Sequence, residues 1–467
     1  MMDFNDWYNE IVEEADLTDK RYPVKGMNVW RPYGWSVMRN IDEIIRREMA
    51  RTGHEEVCFP LLIPRTEFAK EADHIKGFDA EVYWVTHGGV NVLDVPMLLR
   101  PTSETAMYPI FALWIRAHTD LPLETFQIVN TFRYETKQTR AFIRVREIHF
   151  FEAHTCHRDE EDAERQIRED LEIAANFFRS LSLPYVLTRR PEWDKFPGAE
   201  YSLGADTLMP SGRTLQIGTF HQYRDNFARP YEITYEDENG EHRYVHQTTY
   251  GMSERVLGAI IGVHGDERGI ILPPPVAPIQ VVIVPIIKQG GPDVLSFCAG
   301  LRDRLVAGGI RAHLDDRDLR PGNKYYHWER RGVPLRLEIG PREIETHEAQ
   351  LARRDLPLAE GKVGVPIDGL ANRLRREIDD LSARLLERAR TVLDDGIHGF
   401  DDLSEATATD IVKLGWCGEE SCGLEMEEHL EMTMLGLWLS DDGSPRETGR
   451  CSVCGGDGHA VLLAKTY

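Results

Sequence analysis

The 467-residue sequence predicts a multidomain α+β/α/β protein: an antiparallel-sheet domain over 1–277, an α/β domain over 278–390 and a small metal-binding domain over 391–467. Three observations carry that division. Helical periodicities alternate with short polar and aromatic strands up to about residue 272. Pro273-Pro274-Pro275, followed by Pro278, then interrupts the chain as a linker. Beyond 391, four of the seven cysteines cluster within 38 positions, as Cys417, Cys422, Cys451 and Cys454.

Each element follows from its own pattern. Trp35, Met38, Ile41, Ile45 and Met49 recur every three or four residues, which predicts an amphipathic helix over 34–50. After Gly53, the run 57–64 reads as an extended strand, and its two prolines place it at a sheet edge. Ala163, Ile167, Leu171, Ala174 and Phe178 predict a helix over 159–180. Short strands separated by turns over 209–235 predict an antiparallel sheet. Past the prolines, 280–285 reads as a buried strand, 292–307 as a helix, 310–314 and 335–339 as further strands, and 370–394 as a charged helix. Alternating strands and helices imply an α/β layer.

Composition narrows the function classes. No run approaches the roughly 18 apolar residues of a membrane helix, and the first residues lack a signal-peptide apolar core, so the expected location is the cytoplasm. Seven cysteines without an even, evenly spread pattern do not suggest a disulfide framework. A formal charge of −23 argues against a uniformly basic nucleic-acid surface. The charge is uneven, however. Residues 279–390 hold 20 Lys+Arg against 17 Asp+Glu, and the remainder 35 against 61. That segment is the best candidate for meeting nucleic acid.

Nucleotide-binding loops are missing: no Gly-x4-Gly-Lys-Ser/Thr occurs, and Gly258, Gly262 and Gly265 are wrongly spaced for a dinucleotide turn. Instead, Thr131-Phe132-Arg133-Tyr134-Glu135 leads through a basic loop to Arg144-Val145-Arg146-Glu147 and returns as Ile148-His149-Phe150-Phe151-Glu152-Ala153-His154. An arginine, a short basic loop and a returning strand make a phosphate-holding hairpin. Tyr250-Gly251-Met252-Ser253-Glu254-Arg255 then opens an apolar helix. These segments resemble motifs 2 and 3 of class II aminoacyl-tRNA synthetases, and the helix at 34–50 with the Pro60 run resembles motif 1. Arg100-Pro101-Thr102-Ser103-Glu104, Glu152-Ala153-His154, Gln216-Ile217-Gly218-Thr219-Phe220-His221, Val263-His264-Gly265-Asp266 and Arg320-Pro321-Gly322-x-Lys324 resemble the prolyl-specific branch. About 100 residues separate Arg146 from Tyr250. That favours the archaeal/eukaryotic type, since the bacterial type carries a large editing insertion there.

The resemblance implies a class II antiparallel-sheet catalytic domain that joins proline to tRNA(Pro) using ATP with Mg2+. Amino-acid activation brings one anion against another, so fixed cations must offset the developing charge. Arginine suits this because its planar fork binds phosphate bidentately and stays protonated. By resemblance, Arg133 bridges the α-phosphate and the proline carboxylate, Arg144 and Arg255 hold the outer phosphates, Glu135 orients ATP, and Gln216, Thr219 and Ser253 complete the nucleotide site. Thr102, Glu104 and Glu152 would accept from the proline ammonium, and Phe150, His154 and His221 would shape the ring pocket. Phe150 stands where the family usually has tryptophan, and Ile148 where a phenylalanine stacks on adenine. Motif 1 implies a homodimer. Taken singly, Arg133 or Arg144 would read as a solvated arginine, Phe150 as core, and His154 as a structural histidine.

Residues 279–390 resemble the anticodon-binding domain shared by several class II synthetases. Glu338 and Arg342 are the candidates for reading guanine, whose edges suit a carboxylate and an arginine; an internal salt bridge is the competing reading. Cys417-x4-Cys422 with Cys451-x2-Cys454 fits structural Zn2+, against four unligated thiols, with His429 and His459 as possible substitutes. By resemblance this tail docks its Tyr467 back toward the active site. The rival functions are a threonyl, glycyl or histidyl enzyme, or a non-catalytic paralogue. The threonyl reading lacks support because no catalytic Cys/His zinc set accompanies motif 2. The last typically loses a motif arginine, and Arg133 and Arg255 are both present.

Overall fold

The computed structural model describes residues 3–71, 81–288 and 291–467. Its framework is a 12-stranded sheet. From one edge the catalytic strands run Glu55–Glu56, Leu123–Phe132, Glu147–His157, His246–Ser253, Arg213–Arg224, Tyr201–Leu208 and Val186–Arg189. Apart from the two-residue edge strand, neighbours in this series are antiparallel.

Strand alternation sends successive side chains to opposite faces, and the register aligns them across strands. Glu152 lies opposite Gln127 on one side and Gly251 on the other, and Gly251 opposite Thr219. The reverse face carries Phe151, Phe220 and Tyr250, with Phe220 and Tyr250 stacked at 4.6 Å. Helices Pro32–Arg51 and Glu160–Ser180 cover that face and close the largest core. Both begin as their sequences direct. Pro32 opens the first, where its missing N–H is unneeded. Asp159 caps the second by accepting from the Asp162 N–H, ahead of three acidic residues in the first turn.

The extended run 57–64 differs from expectation. Only Leu62–Pro64 pairs, in a separate three-stranded sheet with Asn91–Leu99 and Tyr83–Gly88. Upstream of it, the Phe59 carbonyl accepts from the buried Arg100 guanidinium at 2.8 Å, and the Phe59 N–H donates to Gln127 Oε1 at 3.0 Å. Side chains thus satisfy the Phe59 backbone in place of a neighbouring strand.

Beyond the prolines lies a five-stranded sheet ordered Ala312–Leu314, Val281–Pro285, Leu335–Ile339, Glu348–Arg353, Lys362–Pro366. Its first three strands are parallel, joined through helices Val294–Ala307 and Pro321–Arg330. Helix Leu370–Asp395 buries Leu374, Leu381, Leu385 and Leu393 along one stripe and leads back to the large sheet.

The C-terminal strands do not form a detached unit. Thr433–Leu439 pairs antiparallel with Val186–Arg189, so Asp457–Thr466, Ile411–Trp416 and Ile397–Gly399 extend the catalytic sheet. Gly436 sits at this junction with φ +120°, where a Cβ would lie 2.0 Å from the Arg189 carbonyl; the join requires glycine. Among the described residues, no helix is long and apolar enough to cross a membrane.

Candidate active site

The front face of the sheet opens into a cavity of about 550 Å³. Thr102, Glu104, Arg133, Glu135, Arg144, Phe150, Glu152, Gln216, Thr219, His221, Ser253 and Arg255 all line it, and so does Ile148. The chain brings them together from three strands, two helix starts, the loop that carries Thr102 and the hairpin loop between 132 and 147.

Three arginines converge there. Arg144 bonds the Glu135 carboxylate at 2.9 Å. Arg255 donates through Nε to the Ile143 carbonyl at 2.9 Å, which ties the motif-3 helix to the motif-2 loop. Arg133 Nε donates to the Pro101 carbonyl at 3.3 Å. Burial, and then the positive charges of Arg133 and Arg144, lower the pKa of Arg255 to about 10. It remains a cation at neutral pH, and the mutual repulsion would be relieved by a polyanion.

The other end of the cavity is acidic. Glu104 is buried and accepts from Thr102 Oγ1 at 2.5 Å and Tyr223 Oη at 3.0 Å. Glu152, equally buried, accepts from Ser103 Oγ, from Gln127 Nε2 at 2.9 Å and from His154 Nε2 at 3.1 Å. Burial pushes the Glu152 carboxyl up, but His154, Ser103 and Gln127 hold it below the usual range. Burial likewise works against the His154 imidazolium, and its bond to Glu152 and the charge of Glu104 raise its pKa nonetheless. The two form a buried ion pair. His154, expected on the pocket wall, is fully buried behind Glu152 and is held from the far side by Tyr108 Oη at 3.2 Å.

The apolar walls depend on one small residue. A Cβ at Gly251 would lie 3.2 Å from the Phe150 ring and 3.4 Å from Thr219 Oγ1. His221 bonds Ser202 Oγ at 2.8 Å through Nδ1, and burial, followed by His154 and Arg190, lowers its pKa to about 3, so it is neutral. The loop 190–197 was not anticipated from sequence. Arg190, Asp194, Lys195, Phe196 and Pro197 all reach the cavity, but an irregular loop has no periodicity to mark it.

Two further groups lie away from the cavity. Glu338 is buried, bonded to Lys362 Nζ at 2.5 Å and to Arg336 at 3.3 Å, while Arg342 is exposed on the next helix. The sulfurs of Cys417, Cys422, Cys451 and Cys454 lie within 4.8 Å of one another, with Cys417 and Cys454 3.7 Å apart. Tetrahedral zinc with Zn–S near 2.3 Å sets sulfurs about 3.8 Å apart, so the cluster fits that ion. At Cys451, burial raises the thiol pKa, but backbone N–H groups of Cys454, Val453 and Cys417 offset it and leave about 7. Tyr467 packs over Arg140 of the motif-2 loop at 5.5 Å and bonds Ser211 Oγ at 2.7 Å.

Comparison with known proteins agrees with this geometry. Residues 83–264 match the tRNA synthetase class II core domain (G, H, P, S and T), 280–392 the anticodon binding domain, and 400–467 the prolyl-tRNA synthetase C-terminal domain. The proline–tRNA ligase of Thermococcus kodakarensis is 56% identical over 99% of this chain and 98% of its own. The chain belongs to the prolyl-tRNA synthetase family. The Pyrococcus horikoshii proline–tRNA ligase is also 56% identical, over 100% of this chain and 98% of its own. Among solved structures, the Giardia lamblia prolyl-tRNA synthetase in complex with prolyl-adenylate superposes with a TM-score of 0.93 at 33% identity, covering 99% and 98% of the two chains. The synthetase is therefore a ligase with a class II core and an anticodon-binding domain.

Proposed function

We propose that this chain activates proline with ATP and transfers it to tRNA(Pro), with Arg133, Arg144 and Arg255 as the charge-stabilising groups. The convergence of three arginines and two buried carboxylates in one cavity is the observation that carries the reading. The proline carboxylate oxygen attacks the α-phosphorus, the bond to the bridging oxygen breaks, and pyrophosphate leaves. A ribose hydroxyl at the tRNA 3′ end then attacks the adenylate carbonyl, and AMP leaves. No protein base is needed in the first step, because the nucleophile is already an anion.

Arg133, between the two ends of the cavity, bridges the α-phosphate and the carboxylate. Arg144 and Arg255 take the outer phosphates, and Glu135 keeps Arg144 in line. Gln216, Thr219 and Ser253 flank the nucleotide, beside the Mg2+ that accompanies ATP and neutralises phosphate charge. Thr102, Glu104 and Glu152 accept from the secondary ammonium, with His154 keeping Glu152 ionised. Phe150, Thr219 and His221 bound the ring. This is catalysis by orientation and preorganised charge.

The four cysteines hold a structural Zn2+, and Arg342 reads the anticodon, while Glu338, bonded to Lys362 and Arg336, fits the competing reading of an internal salt bridge. A homodimer buries the apolar surface at the sheet edge, where Leu61, Leu62, Leu113 and Trp114 are exposed beside the two-residue edge strand. The reaction belongs in the cytoplasm. ATP–pyrophosphate exchange tested with all twenty amino acids decides the reading: proline should support it best, and stronger exchange with threonine, glycine or histidine would overturn it.

A further inference from the structure

The Arg190 N–H donates to the Ser202 carbonyl at 2.9 Å, and beyond it the loop 190–197 leaves the ladder, turns where the Asp194 and Lys195 N–H groups donate to the Pro191 carbonyl at 3.0 Å, and forms one wall of the cavity. Phe196 lies 4.8 Å from the His221 ring. Its N–H donates to Ser202 Oγ at 2.9 Å, the same hydroxyl that bonds His221. The placement of this loop therefore sets the placement of His221. A single turn does not fix where such a segment lies, so contacts outside it must hold its position.

Phe196 also packs against Tyr223 and Phe227 of the catalytic domain, and two further anchors come from the C-terminal strands and their cysteine cluster. Arg190 Nη1 donates to the Leu435 carbonyl at 2.9 Å, while Nη2 pairs with Asp206 at 2.7 Å. Trp193 belongs instead to the core around the cysteines. Its ring meets Trp416 edge-on at 5.9 Å and 84°. It also closes on Gly423, where a Cβ would lie 2.5 Å from Trp193 Cη2. Trp416 immediately precedes Cys417, and Gly423 immediately follows Cys422. The indole is thus gripped by the chain neighbours of two cysteines.

We propose that the cysteine cluster serves the amino-acid pocket: by closing on its metal it fixes Trp416 and Gly423 around Trp193, and so holds Phe196 against His221. Trp193 is a positioning residue that acts through the loop and touches no substrate. The proposal rests on the zinc reading and on the placement of His221 in the proline pocket. Four thiol groups within 4.8 Å favour the closed arrangement only while a cation balances their ionised forms. The motif-2 and motif-3 arginines are held by other bonds, so the effect should fall on proline and spare ATP.

The test uses the full-length, zinc-loaded protein and pyrophosphate exchange. Since a misplacement of about 1 Å can cost up to roughly 10²-fold, Trp193→Ala should raise the KM for proline about tenfold, leave that for ATP within about twofold, and narrow the preference for proline over alanine. Trp193→Phe should restore most of the loss. Gly423→Ala, which keeps the ring but displaces it, should shift the proline KM in the same direction. An unchanged proline KM in both Trp193→Ala and Gly423→Ala overturns the contact's role.

A second readout is hydrogen exchange by mass spectrometry before and after chelation. Peptides covering 190–199 should exchange faster without metal, while those from Val281–Pro285 should not change. Loss of metal without faster loop exchange would refute the coupling. Protein that binds no zinc at all would remove the metal from the argument, and the Trp193→Ala kinetics would then decide the packing alone.

Discussion

The cavity and the anticodon-domain strand Leu335–Ile339 contain the same charged residue types, arranged to opposite ends. In the cavity, Arg133, Arg144 and Arg255 crowd together, and the burial and repulsion felt by Arg255 lower its pKa to about 10. In the strand, Arg336 is held by Glu329 at 2.8 Å and by Glu338 at 3.3 Å, and Lys362 completes the pairing of Glu338. One site sets like charges against one another around an open cavity; the other pairs opposite charges within the protein. The difference teaches that residue type fixes what chemistry is available, while arrangement decides whether a ligand is drawn in to balance it. A buried matched pair also contributes little net stability of its own.

The comparison breaks most sharply at Arg133. Arg133→Ala should lower proline-dependent exchange by about 10²–10³, the size seen when one charge-stabilising donor is removed. Near-normal exchange would mean that the cations are not the catalytic groups.

A smaller effect is expected at the exposed arginine of the anticodon domain. Arg342→Ala should weaken discrimination against anticodon-substituted tRNA by about 1–3 kcal/mol, the worth of one bidentate base contact, with exchange in the absence of tRNA untouched. Glu338→Gln should act differently. It leaves Lys362 and Arg336 without their full counter-charge, so the thermal stability of the domain should drop along with charging. Lost charging at full stability would show that Glu338 is directed at tRNA despite its internal partners.

The smallest effect concerns the buried pair behind the proline end. The His154 pKa is raised above 6.5, so its contribution to stability is complete below that value and is lost as pH rises through the folded-state pKa. The Glu152 pKa is lowered below 4.5, so its contribution is complete above that value and is lost on further acidification. The melting-temperature difference between the parent and His154→Gln should therefore be largest between pH 4.5 and 6.5 and shrink above it. A difference independent of pH would show that the two groups are not paired as ions.

Much of this was legible in the sequence, for identifiable reasons. Helices Pro32–Arg51 and Glu160–Ser180 announce themselves because a buried stripe forces a 3.6-residue period. The motif arginines are legible because phosphate chemistry restricts the residue type. His154 is a site candidate by its sequence, but its position behind Glu152 depends on Tyr108 and on the cross-strand register, which no local pattern encodes. Strand Leu335–Ile339 looks half-exposed from its alternating charges, yet all five residues are buried, because Arg336 and Glu338 are satisfied by each other and by Glu329 and Lys362. The join between Val186–Arg189 and Leu437–Leu439 links positions about 250 apart, and pairing at that range leaves no trace in neighbouring residues.

That join also bears on how the protein is made. A ribosome adding about 5–20 residues per second leaves the strand Val186–Arg189 without its outer neighbour for roughly 10–50 s, until Thr433–Leu439 has emerged. During that interval a nascent sheet with apolar Val186 and Leu187 presents an open hydrogen-bonding edge, a known template for misassembly. The five-stranded sheet completes within that delay, since Val281–Pro285 and its neighbours all precede residue 367. The central domain is thus positioned to fold first, with the catalytic domain, begun earlier, finishing last.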